Sequence, residues 1–459
     1  MKTGITMHLR LGSIAALATV ALAAGPLAAQ EAPRIEPQPT SSAEFDAAFP
    51  APAGEATESV PVIQPVPLAE PEMEWPLGEA QALLSYIEQV GTEGLIPGDY
   101  EPAKLRELIA AGESPQLSEA ASKSFSWLVE DLRDGRTPMD ARVQWFAVDP
   151  DRDLLRTETL MRAALGESDV ATVLNSLAPT HPDYAALKAK LAATPKTAKK
   201  ERALIRANMD RWRWLARDMG DVYLITNVPE FQLRLTVKDK IIRTYKTVVG
   251  KPGRTATPQL AETVTAVVFN PTWTVPQSIS VGEGLAAKVR SNPGWAKANG
   301  YTARTGEDGT TWVVQQPGPG NALGLMKIDM PNPHAIYLHD TPSKQFFDHD
   351  VRAYSHGCIR TERAVELGMT MAILGAKMPA DEAAAISVSR EYTKVPMTRT
   401  FPVYITYFTM GQDIDGELRA FDDIYGRDKP VLASFEAPRK LKTSQRKSDE
   451  EIIKLDNPL

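Results

Sequence analysis

The chain holds one cysteine, Cys358, in the run Tyr354-Ser355-His356-Gly357-Cys358-Ile359-Arg360. Four of its six histidines, His334, His339, His349 and His356, fall within the 25 residues that end at that cysteine. A lone thiol forms no intrachain disulfide. Its free pKa of about 8.5 leaves little thiolate at neutral pH, so nucleophilic chemistry needs a base within reach. Two imidazoles qualify. His339 ends a strand-like stretch before the turn signal Asp340-Thr341-Pro342, which places it at a sheet edge, free to face Cys358. His356 shares the cysteine's face in an extended backbone, at a separation long for direct proton transfer. The expectation is therefore His339 as general base and acid, with His356 in a positioning role. Gly357 permits an unusual backbone, so that the N–H groups of Gly357 and Cys358 can converge on a developing oxyanion. Arg360 offers a planar fork for a substrate carbonyl or carboxylate, or else a structural salt bridge. His334 and His349 read as surface residues.

The elements that must position these groups follow from apolar spacing. From Leu77 the period is helical: Ala80, Leu83, Leu84 and Ile87 share a face, and Gly94-Leu95-Ile96-Pro97 breaks it. Helices are expected over Pro102–Ala111, from Ser118 to Gly135, and in shorter pieces to Leu191, giving a helical domain over 77–195 with Trp127 and Trp145 as core residues. One longer helix is expected over Lys196–Met219. The period then changes to two in Val222–Val228 and Phe231–Val237, with Pro229-Glu230 as the turn. Further strands are expected over Lys240–Val249, Thr263–Val268, Thr311–Gln315, Gly324–Ile328, Ala335–His339 and Thr400–Thr409. The pattern breaks over 276–308, where Ile279–Val289 reads as a helix and Asn292–Gly300 as loop. That segment is expected to be an insertion over one end of the sheet. Glu362–Leu374 reads as a helix. The fold class is α+β: a helical domain followed by a mainly β catalytic domain over 196–427, with a mobile charged tail over 428–459.

The first 29 residues have the form of a secretory signal. Lys2 and Arg10 precede the apolar run Leu11–Leu22, and Leu27-Ala28-Ala29 offers small residues for cleavage. The apolar core is shorter than the roughly 20 residues needed to span a bilayer, so no transmembrane anchor is expected after cleavage. Residues 30–76 form a Pro-rich linker, with ten prolines between Glu31 and Pro76, and are expected to be disordered. A net charge of -7 without a basic stripe excludes a nucleic-acid footprint.

Taken together, these motifs resemble the L,D-transpeptidases of the YkuD type. Their signature is a histidine, a spacer, then Ser/Thr-His-Gly-Cys and, one residue on, Arg or Asn; here it is His339 and Ser355-His356-Gly357-Cys358-Ile359-Arg360. Within that family the chain is most similar to the large periplasmic YcbB-like branch. The likeness is carried by Asn208–Trp214, Asn270–Pro276, Pro317–Gly324 and Tyr337–Pro342, and it extends roughly over 81–427. The resemblance implies a periplasmic enzyme that acts on peptidoglycan stem peptides through a Cys358 thioester, with no cofactor or metal. D-Alanine would leave a tetrapeptide donor, and the side-chain amine of a second stem would resolve the thioester to a 3→3 crosslink. It also implies that Tyr337 and Ser355 join Arg360 at the substrate, that the insertion caps it, and that carbapenems acylate the cysteine. Other wall-synthesis enzymes are further candidate partners. Members of this branch often carry a peptidoglycan-binding module between the helical and catalytic domains, and here 181–211 leaves no room for one. Two other readings stay open: a hydrolase on the same scaffold that admits water to the thioester, and a zinc-binding or structural wall protein using His334, His339, His356 and Cys358.

Overall fold

The computed structural model describes residues 71–147, 151–166, 169–306, 310–439 and 453. The expected signal segment and the linker up to residue 70 lie outside them. The end of the expected linker is ordered: Trp75 is buried, packs against Phe125 and donates its indole N–H to Ser122 Oγ at 3.0 Å. An indole at that spacing before the first helix contributes core, which the proline count of the linker conceals.

Three helices follow, α1 (Leu77–Gln89), α2 (Pro102–Ala111) and α3 (Pro115–Asp134). Ser114 caps α3 by accepting the Leu117 N–H at 3.2 Å. The buried stripe of α3, Leu117, Ala121, Phe125, Leu128, Val129 and Leu132, recurs at three and four residues. Burial of each large member contributes roughly 1.5–3 kcal/mol. Short helices α4 (Asp151–Leu154), α5 (Thr157–Leu165) and α6 (Val170–Asn175) close this core, which ends at Leu177.

The next two helices, α7 (Pro182–Ala193) and α8 (Lys199–Trp212), turn away from it. Their Leu187, Leu191, Ile205 and Trp212 share a second core with Tyr223, Ile225 and Tyr404 of the sheet. The helix expected to run to Met219 stops at Trp212. Buried Arg213 follows with a backbone still in the helical region, its side chain donating to Glu93 O and Tyr184 Oη, each at 2.6 Å.

The sheet opens with β1 (Val222–Asn227), β2 (Gln232–Val237), β3 (Lys240–Gly250), β4 (Leu260–Thr263) and β5 (Ala266–Phe269). An inserted lobe follows. It pairs β6 (Trp273–Thr274), β7 (Tyr301–Thr305) and β8 (Thr311–Gln315) as a separate antiparallel sheet under α9 (Gln277–Gly282), α10 (Leu285–Ser291) and α11 (Pro293–Ala298). Its own core is Val275, Val289, Ala296 and Val313. The insertion is thus wider than 276–308, and the expected strand at 311–315 belongs to it. The expected loop at 292–300 contains α11, because Asn292 caps the Trp295 N–H at 3.0 Å ahead of Pro293.

The main sheet resumes with β9 (Met326–Asp329), β10 (Leu338–His339), β11 (Ala353–Ser355) and β12 (Ile359–Thr361). After α12 (Ala364–Ala376) and α13 (Ala380–Val388) come β13 (Thr393–Pro396) and β14 (Pro402–Thr406). The strand order is β13-β5-β9-β10-β12-β3-β2-β1-β14-β4, with β11 also on β3. Helix α12 packs on β5 and β9, burying Leu367 and Met371 against Ile328, Leu338 and Ile359. A hairpin, β15 (Met410–Gln412) and β16 (Leu418–Ala420), precedes α14 (Asp428–Glu436). The mobile tail expected from 428 is therefore ordered at first: α14 packs on α8, and Arg439 pairs with Asp131 at 3.0 Å. Residues 440–452 and 454–459 lie outside the described chain.

Candidate active site

Strand alternation assembles the site. Leu338 and Ile359 are register partners and both face the α12 core, so their neighbours turn to the opposite face. On that face His339 lies between Arg360 of β12 and Lys327 of β9, its partners on either side. Tyr337 and Cys358 come one step earlier on the same two chains, where the Ile359 N–H donates to Tyr337 O at 3.0 Å. His339 is thus buried inside the sheet, not at its edge. The turn signal after it marks only the end of β10, while β9 and β12 flank the strand on both sides.

The turn that carries Cys358 lies between β11 and β12, both hydrogen-bonded to β3. Ser355 is buried and closes it, accepting the Gly357 N–H at 3.1 Å and donating to Cys358 O at 2.6 Å. Gly357 sits at φ 122°, a region that side chains disfavour. Its N–H is committed to Ser355, so it is not the oxyanion donor expected; the Cys358 N–H has no partner among the described residues.

The half-buried Cys358 places Sγ 3.6 Å from Ala335 O. Tyr337 hydrogen-bonds the sulfur through both its hydroxyl and its backbone N–H, and it also packs edge-on to the His339 ring at 5.5 Å. No hydrogen bond joins His339 to Cys358 among the described residues. Lys327 Nζ lies 4.5 Å from the centre of the Tyr337 ring and pairs with Asp329 at 2.7 Å. Arg360 stands over Phe346 at 5.7 Å, and its buried Nε has no hydrogen-bond partner among the described residues.

The expected residues part company at His356. Its ring is half exposed and meets Glu283 of the inserted lobe at 3.1 Å, away from the sulfur's hydrogen bonds. The His334 ring packs at a tilt against Phe146, centroids 4.0 Å apart, and His349 Nδ1 meets Tyr354 Oη at 2.8 Å. Of the four residues of the zinc reading, His356 is therefore turned to Glu283 and His334 to Phe146. Lys327 and Ala335 were not legible as site residues, since only strand register and the loop before Tyr337 bring them to the sulfur.

Burial pushes the Cys358 thiol above its usual value, against the Tyr337 hydrogen bonds and the Lys327 and Arg360 cations. Burial, then the Arg360 charge, holds His339 down at about 3, while the Asp340 and Leu323 carbonyls pull the other way. The Asp340 carbonyl, 2.5 Å from Nδ1, can only accept, so the neutral ring carries its proton there and Nε2 is the basic nitrogen. The resting pair is a neutral thiol and a neutral imidazole. Single-turnover acylation of Cys358 should accordingly be flat between about pH 5 and 8, where neither group changes form. A bell centred near neutrality in stopped-flow acylation would reveal a charged resting pair instead.

Residues 221–369 match the family model of the YkuD L,D-transpeptidase catalytic domain, and residues 73–191 match a scaffold-domain model. The chain carries a YkuD-type L,D-transpeptidase catalytic domain behind a helical region. A Haemophilus influenzae protein provisionally named an L,D-transpeptidase is 26% identical over 223 residues, which is 45% of each chain. The match therefore spans less than half of that relative's length. Among solved structures, an L,D-transpeptidase from Mycobacterium smegmatis is 16% identical over 41% of this chain and 59% of that one, with a TM-score of 0.22. L,D-transpeptidase 3 from Mycobacterium tuberculosis is 12% identical over 40% of this chain and 61% of that one, at 0.22.

Proposed function

We propose that this chain is a periplasmic L,D-transpeptidase of the YcbB-like branch that forms 3→3 peptidoglycan crosslinks through a Cys358 thioester. The observation that carries the reading is the single cysteine held in a strained turn, hydrogen-bonded to Tyr337 on the sheet face that also bears neutral His339. Cys358 attacks the carbonyl between the third stem residue, a diamino acid, and the terminal D-alanine. The thiol proton passes to His339, and the Cys358 N–H meets the oxyanion. His339 then protonates the departing D-alanine nitrogen, leaving the thioester. The side-chain amine of a second stem attacks it, and the amine's proton returns by way of His339 to the sulfur as the new amide forms. Lys327 and Arg360 flank the imidazole and suit a donor with a free carboxylate.

Periplasmic action rests on the signal-like residues 1–29. Among the described residues no helix is long and apolar enough to cross a membrane. The test is mass spectrometry of products from purified disaccharide-tetrapeptide, with Cys358→Ala alongside. The expected product is a dimer whose mass is two monomers less one D-alanine, absent from the variant. Tripeptide alone would assign the chain to the hydrolases.

A further inference from the structure

The carbonyl of Gly357 points away from the reaction, and its partner is a residue that the chemistry does not use. Thr257 is fully buried. Its Oγ1 donates to Gly357 O at 2.8 Å and accepts the Gly250 N–H, at the end of β3, at 2.9 Å. One hydroxyl thus ties the peptide before the nucleophile to the strand that pairs with both sides of its turn. The loop carrying Thr257 is itself held. Its N–H donates to Tyr425 Oη at 3.3 Å, that hydroxyl donates to Gly250 O at 2.6 Å, and Arg427 donates to Thr257 O at 3.0 Å.

The same brace runs back to residues 144–146 of the helical region, between α3 and α4. Gln144 Oε1 accepts from Arg427. The backbone of 144–146 pairs with Gln259, through Gln259 N to Gln144 O at 2.9 Å and Phe146 N to Gln259 O at 3.0 Å. Phe146 packs at a tilt against His334, whose neighbour Ala335 presents its carbonyl to the sulfur. Both loops that border Cys358 are therefore gripped by residues 144–146.

We propose that Thr257 is a positioning residue for the nucleophile, and that the helical region fixes it in place through Gln144 and Arg427. The hydroxyl sets the rotation of the Gly357–Cys358 peptide, which sets both the direction of Sγ and the aim of the free Cys358 N–H. The consequence for donor chemistry rests on the transpeptidase reading above; the consequence for the thiol does not. The groups that face the sulfur are the Tyr337 hydroxyl and N–H, the Ala335 carbonyl and the Lys327 and Arg360 cations, with the His339 ring beside Tyr337 and His356 in the turn.

The experiment compares full-length wild type with Thr257→Val, Thr257→Ser and Gln144→Ala. Two rates are read: acylation by disaccharide-tetrapeptide in a single turnover, and alkylation of Cys358 by iodoacetamide across pH. Thermal unfolding is followed alongside. Valine keeps the volume and removes the hydroxyl, so acylation should fall by about tenfold or more, as expected of a misdirected nucleophile. The alkylation midpoint should drop toward the ordinary thiol value of about 8.5, because a loosened turn admits water to the sulfur. Serine should restore both readouts, and Gln144→Ala should reproduce part of the acylation loss. A valine variant with wild-type acylation and an unmoved alkylation midpoint would overturn the proposal, as would a serine variant as impaired as valine. Wild-type behaviour in Gln144→Ala would remove the helical region from it. If the alkylation midpoint moves as expected while no protein is acylated by tetrapeptide, the positioning role stands and the transpeptidase reading fails.

Discussion

His339→Ala should slow single-turnover acylation of Cys358 by about 10³-fold, within the range that a positioned general base contributes. The two imidazoles lie in different surroundings. His339 is buried, lies on the face that carries Cys358, and is kept neutral at physiological pH, so it can take a proton at no cost in prior deprotonation. His356 lies at the surface in an ion pair with Glu283. Exposed pairs of that kind contribute roughly 0–1 kcal/mol, so His356→Ala should change the rate by no more than about fivefold. Mass-spectrometric acylation kinetics on the two variants separates them. A near-normal His339→Ala beside a dead His356→Ala would transfer the role of base to His356. Because His339→Ala also leaves the Asp340 carbonyl without its ring partner, thermal unfolding belongs beside the kinetics.

Much of this site is legible in the chain because its chemistry is local. Ser355 to Arg360 is one short segment, and the period-two pattern around Leu338 is enough to predict a strand that ends at His339. The α+β division is legible for the same reason, since helical and strand spacing occupy separate stretches. What the sequence withholds is pairing. Tyr337 is visible as a neighbour of His339, yet its two hydrogen bonds to the sulfur depend on the parallel register of β10 and β12. Lys327 and Thr257 lie 31 and 101 positions before Cys358 in the numbering, and nothing local marks either as part of the site. The inserted lobe is blurred for a related reason: β8 is a strand by local pattern, and only its pairing with β6 and β7 shows that it belongs to a sheet of its own. The end of α8 is the opposite case, where the helical spacing runs on past Trp212 and the helix stops there.

Gly357→Ala tests whether the turn is as constrained as its contacts imply, and the loss of acylation should reach about 10²-fold. At φ 122° a side chain is strained whatever the space around it, at a cost on the order of 1–3 kcal/mol. The added methyl would also stand 3.0 Å from Ile336 Cδ1, a contact that the isoleucine can relieve by moving its far end. Backbone strain therefore outweighs crowding. The peptide has little freedom to relieve it, because Ser355 holds the Gly357 N–H, Thr257 holds the carbonyl, and Ile359 is fixed in β12. Relief must come by breaking one of those hydrogen bonds and turning the Gly357–Cys358 peptide. That motion displaces Sγ from Tyr337 and redirects the Cys358 N–H, so nucleophile and oxyanion donor are lost together. The variant should stay folded by circular dichroism, since the core under Leu338 and Ile359 is untouched. Wild-type acylation in a folded Gly357→Ala protein would mean that the turn rotates freely, and the strained geometry would then have no part in catalysis.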